Sequence, residues 1–249
     1  MSWLGKILGG GLGFIVGGPV GAVLGAVAGH HTLDSGNSGG GLFSALENKQ
    51  SIYFTATFSM LGKLAKADGV VTQQEVDVID RVMRENLRLP PPARELAIKI
   101  FNEAKNSDQR FEDFAQQFYA EFGNSREVLA SIIDLLLLVA HADGQVSDAE
   151  EAMIQSAVRI FHLEDHYQQL KGRFAGVPDD INRFYTMLGA KRGDSLASIK
   201  KKYRKLAMEY HPDRIQSQGM PPELAAAAED KFKEIQHAMD MVEKDIRAQ

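Results

Sequence analysis

The chain has 249 residues, a formal net charge of −5 and no cysteine. Without thiols there can be no disulfide, thiolate zinc site or cysteine nucleophile, and the composition fits the cytosol. The acidic balance argues against a general nucleic-acid binder.

Glycine is spent unevenly, since more than half of the 23 glycines lie before residue 42. From Ile7 to Gly29 no side chain is charged. As a helix that stretch would be roughly 34 Å long, against a hydrocarbon core of about 30 Å. Gly5, Gly9, Gly13, Gly17, Gly21, Gly25 and Gly29 fall at every fourth position. This is the small-xxx-small pattern that lets two helix backbones approach closely in lipid, with a drift that favours a right-handed crossing. Residues 1–29 are therefore expected to be a single-pass anchor that self-associates along its glycine stripe. Three other readings compete. Lys6, the apolar run and Ala26-Val27-Ala28 have the layout of a signal peptide, which would leave a periplasmic protein beginning near Gly29. A floppy glycine-rich tail and a re-entrant hairpin turning at Gly18-Pro19 are the others. Lys6 on one side and Lys49 on the other do not set an orientation.

Residues 30–46 read as a Gly/Ser-rich linker, with DSGNSGGG from Asp34 to Gly41 at its centre. A helical domain is expected over 47–175. Ile52, Phe54, Phe58, Leu61, Leu64 and Ala65 suit one helix, and Val76, Ile79, Val82 and Met83 a second. Pro90-Pro91-Pro92 breaks the chain before a third helix with Leu96, Ile100 and Phe101. Phe111, Phe114, Phe118 and Phe122 make a fourth. Val128 to Val139 is a fifth, apolar nearly all round and so expected at the centre. Two shorter helices follow, to about Phe174. No strand-like alternation appears, so the fold class is all-α.

This domain contains a repeat. Ala67-Asp68-Gly69-Val70-Val71-Thr72-Gln73-Gln74-Glu75 returns 75 residues later as Ala142-Asp143-Gly144-Gln145-Val146-Ser147-Asp148-Ala149-Glu150. Thr72…Glu75 and Ser147…Glu150 are capping boxes, and Gly69 and Gly144 sit where a helix stops in the left-handed region. Helix stop, glycine, buried valine and cap account for most of the motif. Asp68 and Asp143 are less well explained. An EF-hand loop is rejected, because its first and third ligands would be Leu64 and Lys66, or Val139 and His141. A weaker divalent-metal site sharing Asp68, Glu75, Asp143 and Glu150 is the alternative, with no other cofactor indicated. His141 reads as a helix-end residue. The twice-used A-D-G-x-V-[ST]-x-x-E on helix pairs resembles the TerB-type tellurite-resistance domain. That resemblance implies an all-helical, internally pseudo-symmetric fold, and metal binding by the four acidic residues named. The domain has 14 basic against 20 acidic side chains over 47–175, a net −6.

Residues 181–249 form a last module, after a linker at Gly176-Val177-Pro178-Asp179-Asp180. Phe184, Met187 and Leu188 make a short helix ending at Gly189. Asp194 or Ser195 caps the next helix, whose stripe is Leu196, Ile199, Tyr203, Leu206 and Tyr210. Lys200, Lys201, Lys202, Arg204 and Lys205 flank that stripe. Pro212 lacks an amide hydrogen and disfavours the helical region for His211, so the chain turns at His211-Pro212-Asp213. A loop is expected next, then a helix from about Pro222 with Leu224, Ala228, Phe232, Ile235, Met239 and Val242 on one face. The module holds 13 basic and 10 acidic side chains, a net +3 beside the −6 of its neighbour. His211 has no carboxylate or nucleophile partner on its helix, and the basic run lacks the interleaved aromatics of a nucleic-acid surface. Physical reading alone leaves a protein-docking surface against a plain solvated face.

F-Y-x-x-L-G (Phe184 to Gly189), I-K-x-x-Y-R-K-L-A-x-x-Y-H-P-D (Ile199 to Asp213) and F-K-E-I-x-x-A (Phe232 to Ala238) resemble the J-domain of the DnaJ/Hsp40 class. The resemblance implies a helical hairpin that binds an Hsp70 of the DnaK type and triggers its ATP hydrolysis. The contacts carried over by position are Lys200, Tyr203, Arg204, Lys205, His211, Pro212, Asp213 and Arg214. Two residues depart from the pattern. Lys202 stands where a small residue is usual, so the bundle edge is expected to be looser there. Met239 replaces a tyrosine, a tolerable core swap. There is no Gly/Phe-rich region, zinc module or client-binding β-domain, so no general holdase activity is expected. Anchor, TerB-like domain and C-terminal J-domain, with the long loop from Gln218 to Glu223, together resemble a membrane-anchored DnaJ-like co-chaperone. That implies a non-enzymatic bacterial inner-membrane protein, dimerised through its anchor, with its bulk in the cytoplasm. The alternative from another class is a metal-sensing membrane scaffold acting through the TerB-like domain.

Overall fold

The computed structural model describes residues 17–29, 45–67, 69, 73–141, 146–164, 167 and 181–248. In chain order the helices are α1 (Gly18–Gly29), α2 (Ala45–Leu64), α3 (Gln73–Arg81), α4 (Pro91–Asn106), α5 (Phe111–Phe122), α6 (Arg126–Ala140), α7 (Asp148–Ile160), α8 (Ile181–Met187), α9 (Leu196–Glu209), α10 (Pro212–Ser217) and α11 (Ala225–Ala248). A π-turn over Val82–Asn86 extends α3, and a 3-10 turn over Pro222–Leu224 leads into α11. No strand occurs among the described residues.

Two helices run through the middle of the first bundle. One is α6, which the sequence marks by its unbroken run of aliphatic side chains. The other is α2, buried on every side from Ser51 to Leu61. Its Ser51, Thr55, Thr57 and Ser59 dilute the apolar signal, yet all four are fully buried. Ser51, Thr55, Ser59 and Gly62 share one helical face by their spacing. That face allows close approach, because a Cβ on Gly62 would lie 2.6 Å from the Phe101 carbonyl oxygen of α4. α5 adds its four phenylalanines, each 0–2% exposed, at the steps the sequence shows. Tyr53 of α2 meets the edges of Phe118 and Phe122 at 5.4 and 5.8 Å between centroids. Its hydroxyl lies 3.0 Å from Ser131 Oγ on α6, and burial raises its phenol above the ordinary range.

The repeat is capped as expected where it is described. Ser147 Oγ accepts from the Glu150 amide at 3.2 Å, and Glu150 Oε2 accepts from the Ser147 amide at 2.9 Å. Gly69 has φ +96° after the end of α2. The Leu137 carbonyl accepts from His141 Nδ1 at 2.9 Å, which makes His141 a helix-end residue. Asp68, Asp143, Gly144 and the Thr72 cap lie outside the described residues.

The apolar N-terminal stretch is described from Gly17 onward, and Gly5, Gly9 and Gly13 lie outside. Gly18 has φ +74° and Pro19 follows it in the first turn, which sets the start of α1. Its 12 residues measure roughly 18 Å, short of a membrane core. Among the described residues no helix is long and apolar enough to cross a membrane. α1 packs on α2, α4 and α5 through Val20, Val23, Leu24 and Val27. Gln117 of α5 grips its start, accepting from the Val20 amide at 2.9 Å and donating to the Gly17 carbonyl at 2.8 Å. Gly17 and Gly25 are exposed, and a Cβ on either would touch nothing within 4 Å.

The C-terminal unit is a hairpin of α9 and α11 braced by α8 and α10. Phe184, Leu188, Ile199, Leu206, Ile215, Ile235, Ala238, Met239 and Val242 are buried together. Ser195 is the cap of α9, accepting from the Ser198 amide. Asp194 instead takes Lys202 Nζ at 2.8 Å, so the bundle edge at Lys202 is closed by an ion pair. The segment after the proline corner, expected as a loop, is helix α10. Pro212 occupies its first turn, where a missing amide hydrogen costs nothing.

Two measurements test this packing. Replacing Gly62 by Val should lower unfolding free energy by about 2 kcal/mol, because backbone on α4 must shift to admit the side chain; urea unfolding reads it. The Tyr185 phenol is raised by burial and by donation to Asp245 Oδ2 at 2.9 Å. Asp245→Asn removes the charge that helps raise it, so ultraviolet titration should show one tyrosine ionising at lower pH than in wild type.

Candidate docking surface

Helical geometry sorts the basic residues of α9 into two sets. Lys201, Arg204, Lys205 and Met208 sit at steps of three, one and three, and all are exposed. Met208 is 61% exposed, the largest apolar protrusion on the unit. Lys201, Arg204 and Lys205 form no ion pair with other described residues, so their charge faces outward undiminished. Lys200 lies at the seam of the hairpin and pairs with Glu243 of α11 at 3.0 Å. Tyr203 is half-buried against the core. Of the residues named from sequence, Arg204 and Lys205 thus share an open face, while Lys200 and Tyr203 point toward α11 or the core. Lys201 and Met208 were missed, although their helical spacing from Arg204 and Lys205 places them on the same face.

The corner at the end of α9 is held from three directions. The His211 carbonyl accepts from the amides of Arg214 at 3.0 Å and Ile215 at 3.1 Å. Ile215, with no exposed surface, pins α10 to the core. The imidazole of His211 meets the edge of Phe232 on α11, with centroids 5.3 Å apart and planes at 70°. His211 and Asp213 are both exposed. The result is a polar corner of fixed shape at the end of a basic face.

Arg214 is different. Its guanidinium pairs with Glu127 on α6 of the first bundle, and the Glu127 side chain is only 13% exposed. No group of three or more His, Asp or Glu side chains is placed to hold a metal among the described residues. Glu150 spends its carboxylate on the Ser147 cap. Asp68 and Asp143 are outside the described residues, and of Glu75 only the backbone is described.

This surface offers positive charge, one apolar side chain and a rigid corner, which are the parts of a protein contact. Comparison with known proteins agrees with that reading. A model of the DnaJ domain matches residues 183–249, one of tellurite resistance protein TerB matches 54–171, and one of the co-chaperone DjlA transmembrane domain matches 1–40. Co-chaperone protein DjlA of Shewanella oneidensis is 30% identical over 230 residues, covering 86% of this chain and 87% of that protein. The Vibrio cholerae protein of the same name is 31% identical over 283 aligned positions, covering 98% and 99%. That of Coxiella burnetii is 28% identical and covers 98% of each. No solved structure matches the chain. The chain is a membrane-anchored J-domain co-chaperone of the DjlA family.

Proposed function

We propose that this chain brings an Hsp70 of the DnaK type to a membrane and stimulates its ATP hydrolysis, without catalysing a reaction of its own. The observation that carries the reading is the joined surface of Lys201, Arg204, Lys205, Met208, His211 and Asp213. Outward charge steers an acidic partner into encounter. A corner that keeps one shape then makes a contact that differs between the partner's two conformations, which is what shifts their balance. The same surface supports Pro212 as the residue that fixes the corner and Arg214 as a contact once released. Lys200 and Tyr203 contribute at its margin.

A single-turnover ATPase assay with purified Hsp70 tests this. Wild type should accelerate hydrolysis, and His211→Gln should reduce the effect to background. Joint replacement of Lys201, Arg204 and Lys205 by Ala should weaken binding about tenfold at low salt and less at high salt, since exposed charges are each worth about 0.2–1 kcal/mol. Equal stimulation by wild type and His211→Gln would refute the reading.

The chain's place in the cell belongs to the same proposal: an inner-membrane anchor within the N-terminal segment that the transmembrane-domain model matches, the rest in the cytoplasm, and a homodimer joined along the glycine stripe. The exposed Gly25, on the side of α1 away from the buried valines, supports a face open to a second helix, and the match to the transmembrane-domain model over residues 1–40 supports the anchor. In inverted membrane vesicles, external protease should digest residues 181–249, and in intact spheroplasts it should not. Gly21→Leu with Gly25→Leu should abolish the crosslinked dimer. Protection in vesicles would reverse the orientation, and persistence of the dimer would remove the stripe from it.

A further inference from the structure

The two units touch along a narrow seam, and the J hairpin presents its corner side to it. Among the described residues, three ion pairs cross the seam. Arg214 reaches Glu127, Arg88 reaches Asp230 at 2.9 Å, and Lys231 lies 4.0 Å from Asp134 while also pairing with Glu234 on its own helix. In the first two pairs the cation and the anion swap sides, so each unit is complementary to the other rather than merely opposite in net charge. Between α10 and α11 the chain approaches the first bundle at Gly219. Its φ is +121°, and a Cβ there would lie 2.9 Å from Lys49 Cβ and 2.9 Å from Phe122 Cε1. The segment that follows α10 is therefore shaped to the first bundle. Beside these contacts the seam is imperfect: a cavity of about 180 Å³ separates Tyr53, Leu135 and Leu138 from Tyr210, Met220 and Leu224. Apolar side chains on both sides are buried here, and paired charges around a cavity leave an interface of the kind that can open and close.

We propose that the TerB-like bundle is a clamp on the J corner: Glu127 holds Arg214 and the bundle covers the α10 side, so an Hsp70 can seat fully only after the seam opens. The partner fits this surface by its acidity. A carboxylate on the Hsp70 competes with Glu127 for the same guanidinium, and binding draws the population toward the open form. The masking half of this inference rests on the function proposed above, whereas the seam does not.

The test uses the full chain in nanodiscs of phosphatidylethanolamine and phosphatidylglycerol. Because the chain has no cysteine, Asn102→Cys on α4 and Lys244→Cys on α11 give two clean spin-label sites, both exposed. Pulsed electron resonance should give one narrow distance distribution at low salt. Glu127→Lys should broaden it, as should about 1 M salt, where the Debye length is about 3 Å. Glu127 also sits in the first turn of α6, where reversal costs some helix stability. Arg88→Glu, at an exposed site, is therefore the second variant, and Arg88→Glu with Asp230→Arg should restore the narrow distribution. If both single variants keep the wild-type distribution, the clamp is wrong. In the ATPase assay at subsaturating chain, Glu127→Lys should stimulate at least threefold more than wild type. An opened seam with unchanged stimulation would overturn the masking. Failure of wild type itself to stimulate would overturn the proposed function and leave the distances to decide the seam.

Discussion

Pro212 has no amide hydrogen, and the C-terminal unit is arranged around that missing donor. It ends α9, because no bond to the preceding turn is available. It also begins α10, because the first turn of a helix needs no such bond. One residue thus closes α9 and opens α10. Everything near the corner follows from the reversal. The His211 carbonyl is turned to receive two amides, Ile215 is driven into the core, and Phe232 is left beside the imidazole. A corner fixed in this way loses little conformational freedom on docking, so more of its contact energy is left for binding.

Electrostatics divides the chain in a way that matters at two ranges. At long range the hairpin is basic and the first bundle acidic, so an acidic partner and the bundle attract the same surface. At short range the pairs are specific, and the basic face of α9 stays clear of them. The structure therefore leaves Lys201, Arg204 and Lys205 outside these pairs while engaging Arg214 beside the corner. Those two jobs can be separated because Arg214 lies on α10, past the bend, and points away from the face carried by α9.

Much of this was legible in the sequence, for local reasons. The four phenylalanines of α5, the stripe of Ile199 and Leu206, the Ser147 cap and the positive φ of Gly69 and Gly189 depend on neighbours within a turn or two. What could not be read depends on residues far away in the chain. Ser51, Thr55 and Ser59 look like a polar interruption until α4 is laid against them. Lys200 and Lys201 look equivalent until Glu243 is placed beside one of them. α10 was misread because proline was taken as a stop, when its missing amide hydrogen serves equally as a start. The α2 start at Ala45 also falls two residues inside the expected linker, the usual uncertainty of a helix end.

The unfilled space at the seam has a consequence for cooperativity. Units that share a close-packed core melt together, since losing one strips contacts from the other. Here the shared surface joins ion pairs, Gly219 and buried apolar side chains such as Leu135, Tyr210 and Met220 around a cavity, so the two units are coupled more loosely than parts of one close-packed core. Heating the intact chain should therefore not follow a single all-or-none transition. The hairpin should then lose and regain its fold while the bundle stays intact, as a module carried by the chain rather than a limb of one domain.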